Sequence, residues 1–323
     1  MNIKILSSLN TTAEERKDIL TIGTHNGIFH SDEVVACAIL CLINSNMSIH
    51  ILRTRDNEML NLCNICVDIG GGKYDHHQPG FNKTRNNCIK YASAGLIWES
   101  FGKQLIEQFL VRYFNSITCN VDSIYELFDD LFISLVDCED NGILTEKHCF
   151  SFISSFLPLW FNSNIDNFNN QFFKALLTTI EILEEELKTT IGKLIAKETI
   201  INNWNDCNYF KNGILEIPSQ TLDWMETVVN INATIVENNP INFVIFPYPN
   251  GGWAAQCVPP SLEKKFNQRI AFPKEWAGQT DKLPKISGVV DSTFCHNGCF
   301  FARANSKEAI IKMCVIATAT SVN

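Results

Sequence analysis

Short β-rich runs alternate with helical segments between Asp18 and Leu144, and this alternation constrains the fold more than any other feature of the chain. The stretches Ile19–Gly23, Ile49–Arg53 and Ile65–Ile69 have the apolar character of buried strands. Between the first two, residues 32–43 are apolar on nearly every side, which predicts a buried helix with Ser31 as its N-cap. Strands that alternate with helices in this way predict a largely parallel sheet flanked by helices.

The rest of the chain has a different pattern. Apolar residues recur every three or four positions from about Asn164 to Trp204, which predicts one long helix connecting two lobes. From Asn205 onward, prolines, turns and short strands predominate. We therefore predict an N-terminal catalytic domain over residues 18–204, which includes the connector helix, and a smaller C-terminal α+β domain over residues 205–323.

Composition excludes several classes of protein. The longest apolar run, Val34–Ile43, has about half the length that a helix needs to cross roughly 30 Å of hydrocarbon, so no membrane span is expected. The 13 cysteines come without a recognisable secretory signal, which favours reduced thiols inside the cell. The net charge of −9 argues against a broad basic surface for nucleic acid, although carboxylates that bind metal ions also leave an acidic excess.

Histidines and carboxylates concentrate in four segments, each at a predicted strand or helix end: residues 25–32, 68–71, 75–77 and 137–142. In a parallel sheet such ends converge on one edge, where the side chains become available to one or two metal ions. Imidazoles and carboxylates without thiolates suit Mn²⁺, Mg²⁺, Fe²⁺ or Zn²⁺. Two such ions that share a carboxylate are a recurring device for phosphoryl transfer.

The order of these motifs resembles a known family. The run Asp75-His76-His77, preceded by Asp68-Ile-Gly-Gly, is similar to the signature of the DHH phosphoesterase superfamily. Within that superfamily the chain is most similar to the Myg (melanocyte proliferating gene) exonuclease family. The similarity runs from residue 21 to the last helix and includes Gly23–Gly27, Arg53–Asp56, Ser93–Leu96, Asp137–Ile143, Gln256–Pro259 and Pro273–Gly278.

The resemblance implies a 3′–5′ exonuclease that acts on single-stranded RNA, with a two-metal centre between the two domains. It also implies association with the nucleus and the mitochondrion, with the cytoplasm as an alternative. The ions would be two divalent cations, Mn²⁺ in the first place and Mg²⁺ as the alternative. By the family's pattern one ion would be bound by His25, His30 and Asp68, and the other by Asp32, Asp68, His76 and Asp137, with Asp140 as the alternative to Asp137.

The resemblance also implies roles around the reacting phosphate. His77 would face it and either donate a hydrogen bond or protonate the leaving oxygen, while Asp75 would orient a histidine. The residues themselves leave two alternatives for Arg53 and Arg55, which either clamp a phosphate from a strand end or pair with Asp56 and Glu58.

We expect the C-terminal domain to bind the substrate. Residues 261–285 hold six basic and three acidic side chains, a local basic excess that could guide an RNA strand. The candidate substrate-binding residues are His296, Arg303, Lys264, Lys265 and Arg269. The family's glycine pair after the substrate-binding histidine is absent, because this chain has Asn297-Gly298-Cys299-Phe300 there.

Two other functions stay open at this point. A DHH phosphatase or phosphodiesterase for pyrophosphate, oligonucleotides or nucleoside bisphosphates would use the same site residues. A degenerate RNA-binding module is the third hypothesis, and the complete ligand set argues against it.

Overall fold

Four parallel strands form the sheet of the N-terminal part of the chain, in the order β1-β3-β2-β4. They are β1 (Asn2–Leu6), β2 (Ile19–Thr24), β3 (Ser48–Arg53) and β4 (Ile65–Cys66). The predicted strands over residues 19–23 and 49–53 are confirmed. Two differences stand out: β1 precedes the start predicted for the domain, and β4 ends before Asp68, three residues earlier than predicted.

The helices of this part are α1 (Ser31–Ile43), α2 (Asn57–Leu60), α3 (Ser93–Tyr113), α4 (Val121–Phe128), α5 (Ser134–Asp140) and α6 (Ile165–Asn205). Twelve of the thirteen residues of α1 are buried, as its uniformly apolar sequence predicts. The N-cap prediction was wrong by one residue. Ser31 is the first helical residue and His30 is the N-cap, because the backbone N–H of His30 donates to Glu33 Oε2 at 2.8 Å.

The C-terminal part contains a six-stranded mixed sheet in the order β5-β6-β7-β8-β10-β9. Its elements are β5 (Tyr209–Phe210), β6 (Ile214–Glu216), α7 (Met225–Thr234), β7 (Phe243–Pro247), β8 (Trp253–Cys257), α8 (Leu283–Ser287), β9 (Ser292–Cys295), β10 (Phe301–Ala304) and α9 (Lys307–Ser321). Only the β6–β7 pair among these strands is parallel. Each face of the sheet carries its own apolar core, one containing residues of α8 and α9 and the other containing residues of α7. The α/β fold class with a parallel sheet and a second sheet is confirmed.

The computed structural model describes residues 1–9, 11–12, 14–115, 119–143, 151–205, 209–210, 213–234 and 240–321. The chain divides into two compact units, Met1–Ile191 and Gly192–Asn323, so the division falls inside α6. The domain boundary predicted from the sequence lies at residue 205, where α6 ends. Within the described ranges, no helix combines the length and the apolarity that a membrane crossing requires.

Candidate metal centre

Side chains from several segments meet where the parallel strands end. His25 directly follows β2, His30 caps α1, and Asp68 lies two residues beyond β4. The first residue of α3, Ser93, reaches the same place: its N–H donates to Asp32 Oδ2 and its hydroxyl to Asp68 Oδ1, both at 3.3 Å. The carboxyl edge of the sheet therefore gathers a set of imidazoles and carboxylates, as the sequence predicts.

Asp68 occupies the middle of this group. Its φ angle of 60° lies in the left-handed region, which Asp tolerates better than most residues, and its N–H donates to the carbonyl oxygen of Tyr74 at 3.0 Å. Asp68 Oδ1 lies 3.2 Å from His76 Nε2 and 3.1 Å from His77 Nε2. Asp68 Oδ2 lies 3.2 Å from His25 Nε2. The two oxygens of one buried carboxylate thus face imidazoles from separate segments.

The cluster has more carboxylate oxygens than imidazole N–H groups that could donate to them. His76 Nε2 lies 3.2 Å from Asp140 Oδ2, 3.2 Å from Asp68 Oδ1 and 3.6 Å from Asp32 Oδ2. An imidazole nitrogen carries at most one proton, so it cannot satisfy three carboxylates at once. His25 Nε2 likewise lies between Asp68 and Glu33, whose Oε1 is 3.1 Å away. A bound cation would satisfy these oxygens together.

The pKa values of the cluster are strongly perturbed. Burial lowers the pKa of His25, but hydrogen bonds to Asp68 and Glu33 outweigh it and raise the pKa to about 10. For Asp68, burial raises the pKa, and the hydrogen bonds from His25 and His76 outweigh burial and lower it. Burial, followed by the charges of Asp68 and Glu33, raises the pKa of Asp32 well above its ordinary value. Without a cation the cluster therefore retains protons, which a divalent ion would displace.

The donor set fits a divalent metal ion. Among the described residues, Asp32 Oδ1 is a buried carboxylate oxygen of the cluster without a hydrogen-bond partner. Three groups of side chains offer ligand atoms close enough together to hold an ion: His25, His30, Glu33 and Asp68; Asp68, His76 and His77; and His30, Asp32 and Asp140. Imidazoles and carboxylates of this kind support the use of a divalent metal.

Asp137 lies outside these groups, although the sequence prediction names it first. Its carboxylate is fully buried, with Oδ2 2.6 Å from Arg85 Nη1 and Oδ1 accepting from the N–H of Gly95 at 3.0 Å. Asp140, one helical turn further on, is the acid beside His76. Both Asp137 oxygens already have partners inside the protein, whereas Asp140, the alternative, belongs to one of the three ligand groups.

Two residues near the centre were not predicted as functional. Glu33 is one of them, and its position three residues after His30 has the capping-box spacing that turns its carboxylate toward His25. Arg85 carried no local signal, because its partners Asp129 and Asp137 are 44 and 52 residues away. Burial lowers the pKa of Arg85, but these two carboxylates outweigh burial and raise it, so Arg85 stays protonated.

The predicted catalytic residues occupy different environments. The His77 side chain is 64% exposed while its Nε2 contacts Asp68, so a substrate can reach it. The buried Asp75 carboxylate accepts from the backbone N–H groups of Gly71 and His77, at 2.8 and 2.9 Å. Asp75 therefore fixes the loop that carries His77 rather than touching an imidazole.

Two arginines lie at the end of β3, Arg53 as its last residue and Arg55 two residues beyond it, and their surroundings differ. Arg53 is fully buried and donates to the carbonyl oxygen of Gly27 at 2.9 Å and to Asn169 Oδ1 at 3.1 Å. These two partners are uncharged oxygens of the protein, and contact of Arg53 with a phosphate stays a prediction. Arg55 is exposed at the strand end.

The predicted substrate-binding residues belong to the C-terminal unit. His296 is exposed in the β9–β10 turn, where its Nδ1 accepts from the N–H of Gly298 and its ring lies 4.3 Å from that of Phe300. The Arg303 guanidinium lies 3.8 Å from the centre of the Tyr248 ring. Lys264, Lys265 and Arg269 lie in the segment after β8, where all three side chains are exposed.

A histidine and carboxylate centre at the carboxyl edge of a parallel α/β sheet is the arrangement that a metal-dependent hydrolase needs. The family match and relatives given next support a hydrolase of the nuclease and phosphoesterase class. Residues 21–318 match the MYG1 exonuclease family model, which is described as an uncharacterised protein family (UPF0160). The chain belongs to this family, and the predicted resemblance is confirmed.

Curated relatives support the assignment over nearly the whole chain. The MYG1 exonuclease of Mus musculus is 29% identical over 325 residues, covering 90% of this chain and 83% of the mouse protein. The MYG1 protein of Dictyostelium discoideum is 30% identical over 319 residues, covering 92% of this chain and 95% of that protein. Among solved structures, RecJ of Thermus thermophilus in complex with Mn²⁺ aligns with 93% of this chain and 52% of its own, at 13% identity and a TM-score of 0.24.

Proposed function

We propose that the chain is an exonuclease that removes nucleotides from the 3′ end of single-stranded RNA by hydrolysis assisted by two divalent ions. The observation that carries the proposal is Asp68, whose two buried oxygens face histidines from different segments. A carboxylate shared in this way suits two neighbouring cations. The exonuclease name of the mouse relative supports the same reaction class.

The charge of the cluster supports two ions rather than one. Four carboxylates lie in the ligand groups, those of Asp32, Glu33, Asp68 and Asp140. Two divalent ions carry four positive charges, which balances these four acids. We propose that His25, His30, Glu33 and Asp68 bind one ion and that Asp32, Asp68, His76 and Asp140 bind the other. The mixture of imidazole and carboxylate favours Mn²⁺, since Mg²⁺ prefers an all-oxygen shell.

The protein's own groups then act on the substrate. Bound ions would activate a water molecule and neutralise charge on the transferred phosphoryl group. His77, exposed and adjacent to Asp68, donates a hydrogen bond to the phosphate or a proton to the leaving 3′ oxygen. Asp75 keeps the backbone of His77 in place, and Arg55 is exposed and able to contact a phosphate.

The C-terminal domain, proposed over residues 205–323, binds the RNA substrate. Exposed Lys264 and Lys265, with Arg269, provide positive charge for the RNA backbone, while His296 and Arg303 offer further polar contacts. Changing Lys264 and Lys265 to Ala should weaken binding of long RNA and flatten its salt dependence. Hydrolysis of a dinucleotide should change much less, and equal losses on both substrates would remove this role.

Hydrolysis of end-labelled RNA tests the proposed function. With Mn²⁺, 5′-labelled RNA should yield a ladder of progressively shorter labelled strands, and 3′-labelled RNA should release labelled mononucleotide at once. Release of labelled mononucleotide from the 5′ label would reverse the polarity and refute the proposal. Asp68→Asn should abolish the reaction, whereas Asp130→Asn, at an exposed position, is a matched control that should retain it.

A small-substrate phosphoesterase is the second candidate function. It is favoured by the size of the cavity beside the centre, about 350 Å³, which is at the lower end of the roughly 300–1,000 Å³ typical of small-molecule sites. Hydrolysis of pyrophosphate or a nucleoside bisphosphate, by a preparation that leaves RNA intact, would favour this function over the exonuclease.

A further inference from the structure

The cavity beside the candidate metal centre combines three kinds of surface. His30, His77 and Asp140 of the centre contribute to its lining. Apolar side chains line it as well, those of Phe29, Ile153 and Leu157. A phosphate at the centre would therefore lie next to a space that offers both apolar contact and polar groups, which is the composition of a small-molecule site.

Glu139 is the acid of this cavity that the ligand groups do not include. It lies on α5 and is half-buried. Its hydrogen-bond partner is the Ser31 hydroxyl, at the long distance of 3.5 Å. A carboxylate accepts hydrogen bonds and repels phosphate, so the part of a phosphate ester that suits a place beside Glu139 is an uncharged donor such as a hydroxyl.

In a nucleotide held by its phosphate, the neutral donors nearest to that phosphate are the ribose hydroxyls. A carboxylate reads the ribose 2′-OH in dinucleotide-binding folds by accepting its hydrogen bond. The 2′-OH is also the group by which a protein distinguishes RNA from DNA at one site. The volume of about 350 Å³ suits one nucleoside rather than a length of strand.

We propose that this cavity is the subsite for the 3′-terminal nucleoside, in which Glu139 accepts hydrogen bonds from the ribose hydroxyls and selects a ribonucleotide end over a deoxyribonucleotide end. The nucleobase lies against Ile153 and Leu157. This inference rests on the proposed exonuclease function and adds a specificity-determining residue to it.

The first test compares two RNA trinucleotides that differ only in a 2′-OH or a 2′-H at the last residue. A hydrogen bond to a charged group contributes about 1.5–3 kcal/mol, so the wild type should prefer the ribose end by roughly 10- to 100-fold in kcat/KM. Glu139→Ala should reduce this preference to below about threefold, and Glu139→Gln should restore part of it through its amide oxygen. Glu107→Gln, at an exposed position of α3, is the matched control and should keep the wild-type preference.

Two results would overturn the inference. One is a wild type without preference, and the other is a Glu139→Ala variant that loses rate equally on both trinucleotides, which would assign Glu139 to chemistry or to metal binding. Manganese titration of Glu139→Ala by calorimetry separates these two roles.

A second experiment tests the subsite even if the proposed exonuclease function is refuted. Bis-p-nitrophenyl phosphate carries no nucleoside and reports on the metal centre alone. If the wild type cleaves it but neither trinucleotide, the exonuclease proposal is refuted. The subsite then stands only if 5′-AMP inhibits this reaction at least about tenfold more strongly than 5′-dAMP and Glu139→Ala removes the difference.

Discussion

Neutralising Asp137 should lower the stability of the metal-free protein, whereas neutralising Asp140, on the same helix, should weaken the binding of Mn²⁺. Asp137→Asn keeps the shape of the side chain but removes the charge that holds Arg85 at 2.6 Å. A hydrogen bond to a charged group is worth about 1.5–3 kcal/mol, so the free energy of unfolding of the metal-free protein should fall by about 2 kcal/mol. For a unit of this size the melting temperature should fall by about 4–8 °C. Binding of Mn²⁺ should keep its stoichiometry.

Asp140→Asn should leave the stability of the metal-free protein nearly unchanged and weaken the binding of Mn²⁺. The Asp140 carboxylate shares His76 with Asp32 and Asp68, so removing its charge relieves repulsion in the metal-free cluster. Metal-free stability should stay within about 1 kcal/mol of the wild type. The loss of a ligand should weaken Mn²⁺ binding by about 100-fold, which corresponds to about 2.8 kcal/mol.

Urea unfolding in chelator and calorimetric titration with Mn²⁺ measure the two effects separately. Asp130→Asn, at an exposed position of the preceding helical turn, controls for the removal of a negative charge and should change neither measurement. The reasoning is refuted if Asp137→Asn removes a bound ion without a loss of stability, or if Asp140→Asn binds Mn²⁺ as the wild type does.

Three further predictions address the surroundings of the centre. In Gly95→Ala the new Cβ would overlap with Asp137 Oδ2 and lie 2.6 Å from Arg85 Nη2, so we expect a loss of about 1–3 kcal/mol in urea unfolding, and an unchanged midpoint would contradict this. The pKa of His25 is raised from 6.5 to about 10 in the metal-free protein, so its stabilising effect is complete below about pH 6.5 and is lost as the pH rises towards 10. Because a cation must displace this proton, the rise in melting temperature on adding Mn²⁺ should be larger at about pH 8.5 than at about pH 6.5, and the opposite trend would exclude His25 as a ligand. Arg53→Met should cost about 2 kcal/mol through its lost bonds to Gly27 and Asn169, and hydrogen exchange should speed up over residues 25–30; unchanged exchange there would contradict the prediction.

Local sequence patterns were sufficient to predict most strands of the parallel sheet and the segments that form the candidate metal centre. The runs at β2 and β3 carry their own apolar signal, and the ends of such strands must share an edge. β1 escaped prediction because five residues with one lysine give a weak pattern. Its stability comes from pairing with β3, whose residues lie 46 positions further along the chain. Long-range pairing of this kind leaves little trace in a short window of sequence.

The choice between Asp137 and Asp140 illustrates a second limit. The two acids are three residues apart on α5, so spacing alone places both near one face of a helix. Two features decide between them. A π-helical stretch, Asp129–Ile133, precedes α5 and shifts its phase, and Arg85 captures Asp137 from a distant loop. Neither feature can be predicted from hydrophobic periodicity.

The contacts of Asp137 and its neighbours also explain how the fold accommodates several buried carboxylates in one place. Asp32 and Asp68 accept hydrogen bonds from Ser93 at the N-terminus of α3, where the helix dipole favours negative charge. Asp137 fixes that N-terminus by binding the N–H of Gly95 and the Arg85 guanidinium together. One acid of α5 therefore stabilises the scaffold of the centre, while Asp140, one turn away, is the acid that we propose as a metal ligand. Because backbone groups of a helix position Asp32 and Asp68, these oxygens need little rearrangement when an ion binds, which is what a preorganised metal centre requires.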